Sequence, residues 1–121
     1  MPKTILVVDD EPDVMKFAVL RLEKAGYNVL TAVDGAAAIE AAVSGHPDLI
    51  LLDIKLPKMS GYEVFKQMRA RPDLAAIPVI LVTADASVSI ARHTVELKAE
   101  DHILKPYNAE ELFEKIRRHI R

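Results

Sequence analysis

The sequence predicts a doubly wound α/β domain on a five-stranded parallel sheet, and three observations lead there. Short apolar runs recur at residues 5–8, 29–32, 49–52 and 79–82, with a weaker fifth at 103–104. They are apolar throughout rather than alternating, the pattern of strands covered on both faces. Helix-like stretches separate them in the order βαβαβαβαβα, and parallel strands require crossovers of this kind, right-handed ones.

Each helix has local support. Residues 13–25 place Val14, Phe17, Ala18, Leu22 and Ala25 on one face, with Gly26 as the stop. Residues 35–44 carry Ala38, Ile39 and Ala42 at helical spacing and end before Gly45 and Pro47. Residues 61–70 offer Val64, Phe65 and Met68 and close before Pro72. Residues 87–97 form a weaker stripe of Val88, Ala91 and Val95. Asn108 is suited to cap a last helix carrying Leu112, Phe113, Ile116 and Ile120.

The 121 residues are the length of one compact domain, and no linker, repeat or low-complexity tract divides residues 1–121. Half of them are hydrophobic, enough for a packed interior. Eighteen acidic against 16 basic residues give a net charge of −2, which disfavours a direct nucleic-acid binder. The absence of cysteine excludes disulfides and thiolate metal sites. The first residues show no signal peptide and the apolar runs are too short to span a bilayer, so a cytoplasmic protein without membrane association is expected.

The chemistry lies in the polar residues that close each apolar run. Asp9 and Asp10 come after the first, Asp53 after the third, Thr83 after the fourth and Lys105-Pro106 after the fifth. In an open parallel sheet these positions share one edge, where the carboxyl ends of strands form the binding crevice. Three carboxylates gathered there would repel one another, and a hard divalent cation such as Mg²⁺ resolves the conflict. Lys105 and Thr83 add an ammonium and a hydroxyl suited to a tetrahedral oxyanion beside the metal. That set fits phosphoryl transfer, in which positioning and charge neutralisation supply most of the catalysis. Asp53, central and succeeded by a loop at residues 54–61, is the best placed nucleophile; the Asp9-Asp10 pair is better suited to holding the cation.

Singly, each residue has a plainer explanation. An aspartate after a strand commonly caps a turn, and a lysine there is commonly solvated. Their coincidence at one sheet edge is what carries weight.

The segments Val7-Val8-Asp9-Asp10-Glu11-Pro12, Leu51-Leu52-Asp53-Ile54-Lys55-Leu56-Pro57-Lys58-Met59-Ser60-Gly61, Val82-Thr83-Ala84 and Lys105-Pro106 resemble bacterial two-component response-regulator receiver domains over essentially the whole chain. The resemblance implies the flavodoxin-like strand order 2-1-3-4-5, with Asp9 and Asp10 beside Asp53. It implies Asp53 as phosphoacceptor from a phosphohistidine donor and Asp10 as a direct ligand of Mg²⁺ or Mn²⁺. Asp9 would act partly through water, and the Lys55 backbone carbonyl would join the coordination. Thr83 and Lys105 would meet phosphoryl oxygens, across a cis Lys105–Pro106 bond. The implied partners are a histidine kinase or phosphotransfer protein, and an effector or second copy on the face of the fourth helix, last strand and last helix. Such a domain is a signalling phosphoacceptor rather than an enzyme with turnover on other substrates.

Three departures from the family pattern bear on this reading. His102 stands three residues before Lys105, where the family has Tyr or Phe as the switch partner of Thr83. Lys98-Ala99 replaces a common Gly-Ala, which affects the turn before the last strand. Lys55 and Asp85, two residues beyond Asp53 and Thr83, form an opposite-charge couple that could tune phosphoryl lifetime, although two solvated side chains is the simpler expectation. Arg117, Arg118 and Arg121 suit a helix C-terminus; His46, His93 and His119 read as surface residues.

Competing functions fit less well. A haloacid-dehalogenase-like phosphatase would use Asp9 as nucleophile with Glu11 two residues on, but the chain has no room for a cap. A flavodoxin-like electron carrier needs a hydroxyl- and Gly-rich phosphate loop where Asp9 and Asp10 stand. A docking-only receiver has no need of the intact acidic residues and Lys105.

Overall fold

The computed structural model of the chain describes residues 2–84, 95 and 98–120. Five strands form one parallel sheet: β1 (Thr4–Val8), β2 (Asn28–Ala32), β3 (Leu49–Asp53), β4 (Val79–Thr83) and β5 (Asp101–Leu104), in the order β2-β1-β3-β4-β5. The helices are α1 (Pro12–Lys24), α2 (Gly35–Gly45), α3 (Gly61–Arg69) and a C-terminal helix, Ala109–His119. The stretch 87–97 expected as a further helix falls mostly outside the described residues, as do Asp85 and His93.

Strand side chains alternate between faces, so the sheet divides the core in two. Leu6, Val8, Ile50, Leu52 and Leu81 pack with Ala38 and Ala42 of α2 and Val64, Phe65 and Met68 of α3. Ile5, Val7, Leu51, Ile80 and Val82 pack with Ala18 and Leu22 of α1 and Leu112 and Ile116 of the C-terminal helix. Full burial of each such aliphatic side chain contributes about 1.5–3 kcal/mol. β3 and β4 are buried along their whole length, which explains their unbroken apolarity.

β2, at the sheet edge, is covered on both faces but less completely than the central strands: Leu30 and Ala32 join one core layer and Val29 the other, while Asn28 and Thr31 are exposed. One local expectation fails. Ala25 does not join the buried face of α1: it is the exposed C-cap, while Ala18 and Leu22 alone are fully buried.

Caps close the helices as the residue types dictate. Asp34, Ser60 and Asn108 accept hydrogen bonds from the backbone N–H groups of Ala37, Glu63 and Glu111. Lys98 takes the left-handed φ of 59° that glycine adopts freely, so the turn where Lys98-Ala99 replaces Gly-Ala is made with a lysine. At the amino end of β4, Arg69 donates to the carbonyls of Ala75 and Ile77 and forks onto Glu100, whose Oε2 also accepts the Val79 N–H at 2.9 Å. That cluster ties α3, β4 and the lead into β5 at the end of the sheet opposite the acidic residues.

Candidate phosphoacceptor site

The site is assembled by register. β1 and β3 pair Val8 with Leu52, and β3 and β4 pair Asp53 with Val82. The residues ending these strands therefore share one edge, as the topology requires. Asp9, Asp53 and Thr83 are each no more than 3% exposed, and they are the only buried polar or charged residues among those described. β5 pairs Leu104 with Thr83, and the Lys105 N–H donates to the Thr83 carbonyl at 2.7 Å. The Lys105–Pro106 peptide is cis.

Lys105 Nζ lies 2.9 Å from Asp9 Oδ2, 3.0 Å from Asp53 Oδ2 and 2.8 Å from Glu11 Oε1. An ammonium has three N–H donors, and here each has a carboxylate. The other oxygens are held by backbone: Asp9 Oδ1 accepts the Glu11 N–H at 2.9 Å, and Asp53 Oδ1 the Lys55 N–H at 3.1 Å. Oxygens of Asp9, Asp10 and Asp53 all fall within 4.8 Å of one another, with Asp10 exposed and the other two buried. Together with Glu11 these are four carboxylates against one ammonium, an excess of negative charge on a cluster of hard oxygen donors. A divalent cation of the Mg²⁺ class fits it.

Burial pushes the Asp53 carboxyl above its ordinary pKa, and the Lys105 hydrogen bond only partly offsets this. Burial disfavours the charged form of Lys105, but hydrogen bonds to Glu11, Asp9 and Asp53 outweigh it and hold the ammonium well above the usual lysine range. Desolvation, and after it the negative charge of Asp9, push the hydroxyl of half-buried Tyr107 up to about 12. Its ring meets Phe17 edge-on at 6.1 Å. The two line an open groove of about 460 Å³ whose rim includes Glu11, Lys105 and Pro106.

The expected residues thus divide. Asp9, Asp10, Asp53 and Lys105 come together, and Thr83 ends the neighbouring strand. Lys55 is exposed with its N–H on Asp53, while its proposed partner Asp85 lies outside the described residues. His102 sits opposite Leu81 in β5, and beside Leu104, Pro106, Glu111 and Lys115 it lines a groove between β5 and the C-terminal helix. His119 is not a surface residue: its side chain is largely buried, with Nε2 2.9 Å from Asp101 Oδ2, and Asp101 also receives Lys115 Nζ at 3.0 Å.

Two site residues escape sequence reasoning. Glu11 enters the sequence reading as a member of the segment around Asp9 and Asp10 and as the second acid of the phosphatase alternative, not as a partner of Lys105. Gly61 donates its N–H to the Ile54 carbonyl at 2.7 Å, and a Cβ there would fall onto the Asp53 carbonyl oxygen and within 2.6 Å of Ile54 Cα. A glycine just after Ser60, the cap of α3, is the available signal.

A family profile described as the response regulator receiver domain matches residues 5–117. The chain belongs to that family. It is 37% identical over 121 residues to the DNA-binding dual master transcriptional regulator RpaA of Synechocystis, covering 100% of this chain and 50% of that protein. It is 38% identical over 121 residues to the alkaline phosphatase synthesis transcriptional regulatory protein PhoP of Bacillus subtilis, with the same coverage. The chain therefore spans about half the length of these relatives. Among solved structures, chemotaxis protein CheY4 of Vibrio cholerae superposes with a TM-score of 0.94 at 28% identity, covering 99% of this chain and 100% of that one. The receiver domain of the sensor histidine kinase PA1611 of Pseudomonas aeruginosa gives 0.90 at 28% identity, covering 98% of each, and that structure has a magnesium ion coordinated in its active-site cleft. These likenesses bear out the receiver family and the 2-1-3-4-5 order read from the sequence.

Proposed function

We propose that residues 1–121 act as one receiver domain in which Asp53 accepts a phosphoryl group from a phosphohistidine donor. The observation that carries this is the single ammonium of Lys105 shared by Asp53, Asp9 and Glu11, with Asp10 completing a cluster of oxygen donors. An oxygen of the Asp53 carboxylate attacks phosphorus, the O–P bond forms, the P–N bond to the donor imidazole breaks, and its electron pair leaves with the imidazole nitrogen. Lys105 tracks the incoming charge and pairs with a phosphoryl oxygen, and the Thr83 hydroxyl donates to another. Mg²⁺, or Mn²⁺, held by Asp9 (partly through water), Asp10, Asp53 and the Lys55 backbone carbonyl, would neutralise charge on the transferred group when bound. Preorganised donors of this kind are worth about 10²–10³ in rate each.

The output arises from a local charge change biasing a packing equilibrium. Thr83 drawn toward the phosphoryl group opens room that His102 fills in place of the family's aromatic switch residue. The face formed by β5 and the C-terminal helix, together with the helix expected from the sequence at residues 87–97, then receives an effector or a second copy. The domain turns over no other substrate, makes no direct nucleic-acid contact and works in the cytoplasm. Among the described residues no helix is long and apolar enough to cross a membrane. The donor is a histidine kinase or phosphotransfer protein.

A phosphotransfer protein labelled on its histidine tests this. Label should pass to the wild-type chain with Mg²⁺ present, and neither with chelator nor to Asp53→Asn. Label that stays on the donor, or that reaches Asp53→Asn equally well, would overturn the proposal.

A further inference from the structure

Glu11 occupies the N-cap position of α1, but its side chain makes no capping hydrogen bond. Its carboxylate instead reaches a lysine 94 positions away, at 2.8 Å. Of the three carboxylates on Lys105 Nζ, Glu11 is the only one outside the acidic cluster suited to a cation, and the only one largely exposed, at 60%. Asp9 Oδ2 and Asp53 Oδ2 are both occupied by the ammonium. The opposite oxygens of both residues accept backbone N–H groups, and a cation held by the free lone pairs of the same two carboxylates would set a second positive charge against the ammonium, which favours its movement toward the third carboxylate.

Resting on the phosphoacceptor reading above, we infer that Glu11 is a positioning residue that takes the Lys105 ammonium while Asp9 and Asp53 turn toward the cation. The ammonium is too buried, at 10% exposure, to move into water without a large desolvation change. Glu11 offers it a charged acceptor it already touches, so exchange needs only the loss of two contacts and the retention of the third. From there Lys105 remains within reach of the phosphoryl group when Asp53 is modified. Glutamine at this position would keep an acceptor oxygen but not the charge. Aspartate would keep the charge but withdraw it by one methylene.

The test is Mg²⁺ titration monitored by amide chemical shifts, with no phosphodonor, on wild type, Glu11→Gln, Glu11→Asp, Lys105→Met and the Glu11→Gln/Lys105→Met double variant. Loss of one nearby negative charge weakens Mg²⁺ binding in any background, so the informative quantity is the coupling. Glu11→Gln should weaken Mg²⁺ affinity by about threefold or more beyond the factor it causes in the Lys105→Met background, the scale of coupling between contacting charged groups. Glu11→Asp should resemble Glu11→Gln rather than wild type, and this comparison needs no lysine variant. Equal factors in the two backgrounds, no effect at all, or a wild-type-like Glu11→Asp would each overturn the inference while leaving the phosphoacceptor reading intact. A wild-type chain that binds no Mg²⁺ would overturn both.

Discussion

Lys105 Nζ stands 3.0 Å from Asp53 Oδ2 and 2.9 Å from Asp9 Oδ2, so the ammonium at the end of β5 reaches carboxylates at the ends of β3 and β1. Those carboxyl groups are 4% exposed, and no buried polar side-chain atom among the described residues lacks a partner. The fold therefore tolerates buried acids at this edge because one base serves them all.

Lys105→Met should destabilise the domain at neutral pH by about 3 kcal/mol, as expected when one partner of a buried pair is removed. The sign of its pH dependence is set by Asp53, already raised above its ordinary value of 3.8 by burial and partly restrained by Lys105. Without the ammonium the folded pKa rises further. The folded state then binds protons more readily than the unfolded one, and stability falls as pH rises through that window. Denaturant titrations should show the deficit shrinking toward pH 4, and Mg²⁺ should recover more stability for the variant than for wild type. A deficit that is constant with pH would show that lost packing, not unpaired charge, is responsible.

Gly61→Ala should distort the site rather than only the helix. The new methyl meets backbone, the Asp53 carbonyl and Ile54 Cα, and backbone cannot move aside cheaply. A loss of about 2 kcal/mol or more is expected, at the upper end of overpacking effects. Mg²⁺ affinity should fall with it, since the displaced segment carries Asp53. Wild-type thermal stability together with unchanged Mg²⁺ binding would contradict this placement of Gly61.

Asp101 joins β5 to the C-terminal helix through Lys115, His119 and the His102 N–H. Burial alone would raise its carboxyl, but hydrogen bonds from His119, Lys115 and the His102 backbone hold it below the ordinary value. A depressed carboxyl pKa contributes stability that is present above the unfolded value and lost as pH falls through the folded one. Asp101→Asn should therefore lower stability by about 1 kcal/mol at neutral pH, the scale of a partly exposed charged hydrogen-bond cluster. As pH falls through the folded value, which lies below the ordinary 3.8, the variant and wild type should converge. Curves that stay parallel down to acid unfolding would show that the charge does not matter.

The strand-end residues are legible in the sequence because chain topology places them: any parallel sheet in this order sets the ends of β1, β3, β4 and β5 along one edge. Asp9, Asp10, Asp53 and Lys105 need no further information to converge. Glu11, Asp101 and Arg69 are not legible, since their roles depend on where a long side chain reaches, in the case of Glu11 across 94 positions. Gly61 depends on the distance between two backbones, which composition does not encode. β2 reads like a central strand, because apolar content alone does not reveal the sheet edge that leaves Asn28 and Thr31 exposed. His119 reads wrongly as a surface residue because its partner, Asp101, lies 18 residues earlier in another element.

Intact mass after exposure to a small amidophosphate donor and Mg²⁺ tests the role of Asp53 most directly, because it needs no knowledge of the natural donor. Wild type should gain one phosphoryl group, sensitive to hydroxylamine as an acyl phosphate is, and Asp53→Asn should gain none while remaining as stable as wild type or more so. An unmodified wild-type chain, or an Asp53→Asn chain carrying the same increment, would show that the carboxylate beside Lys105 is not where phosphate is carried.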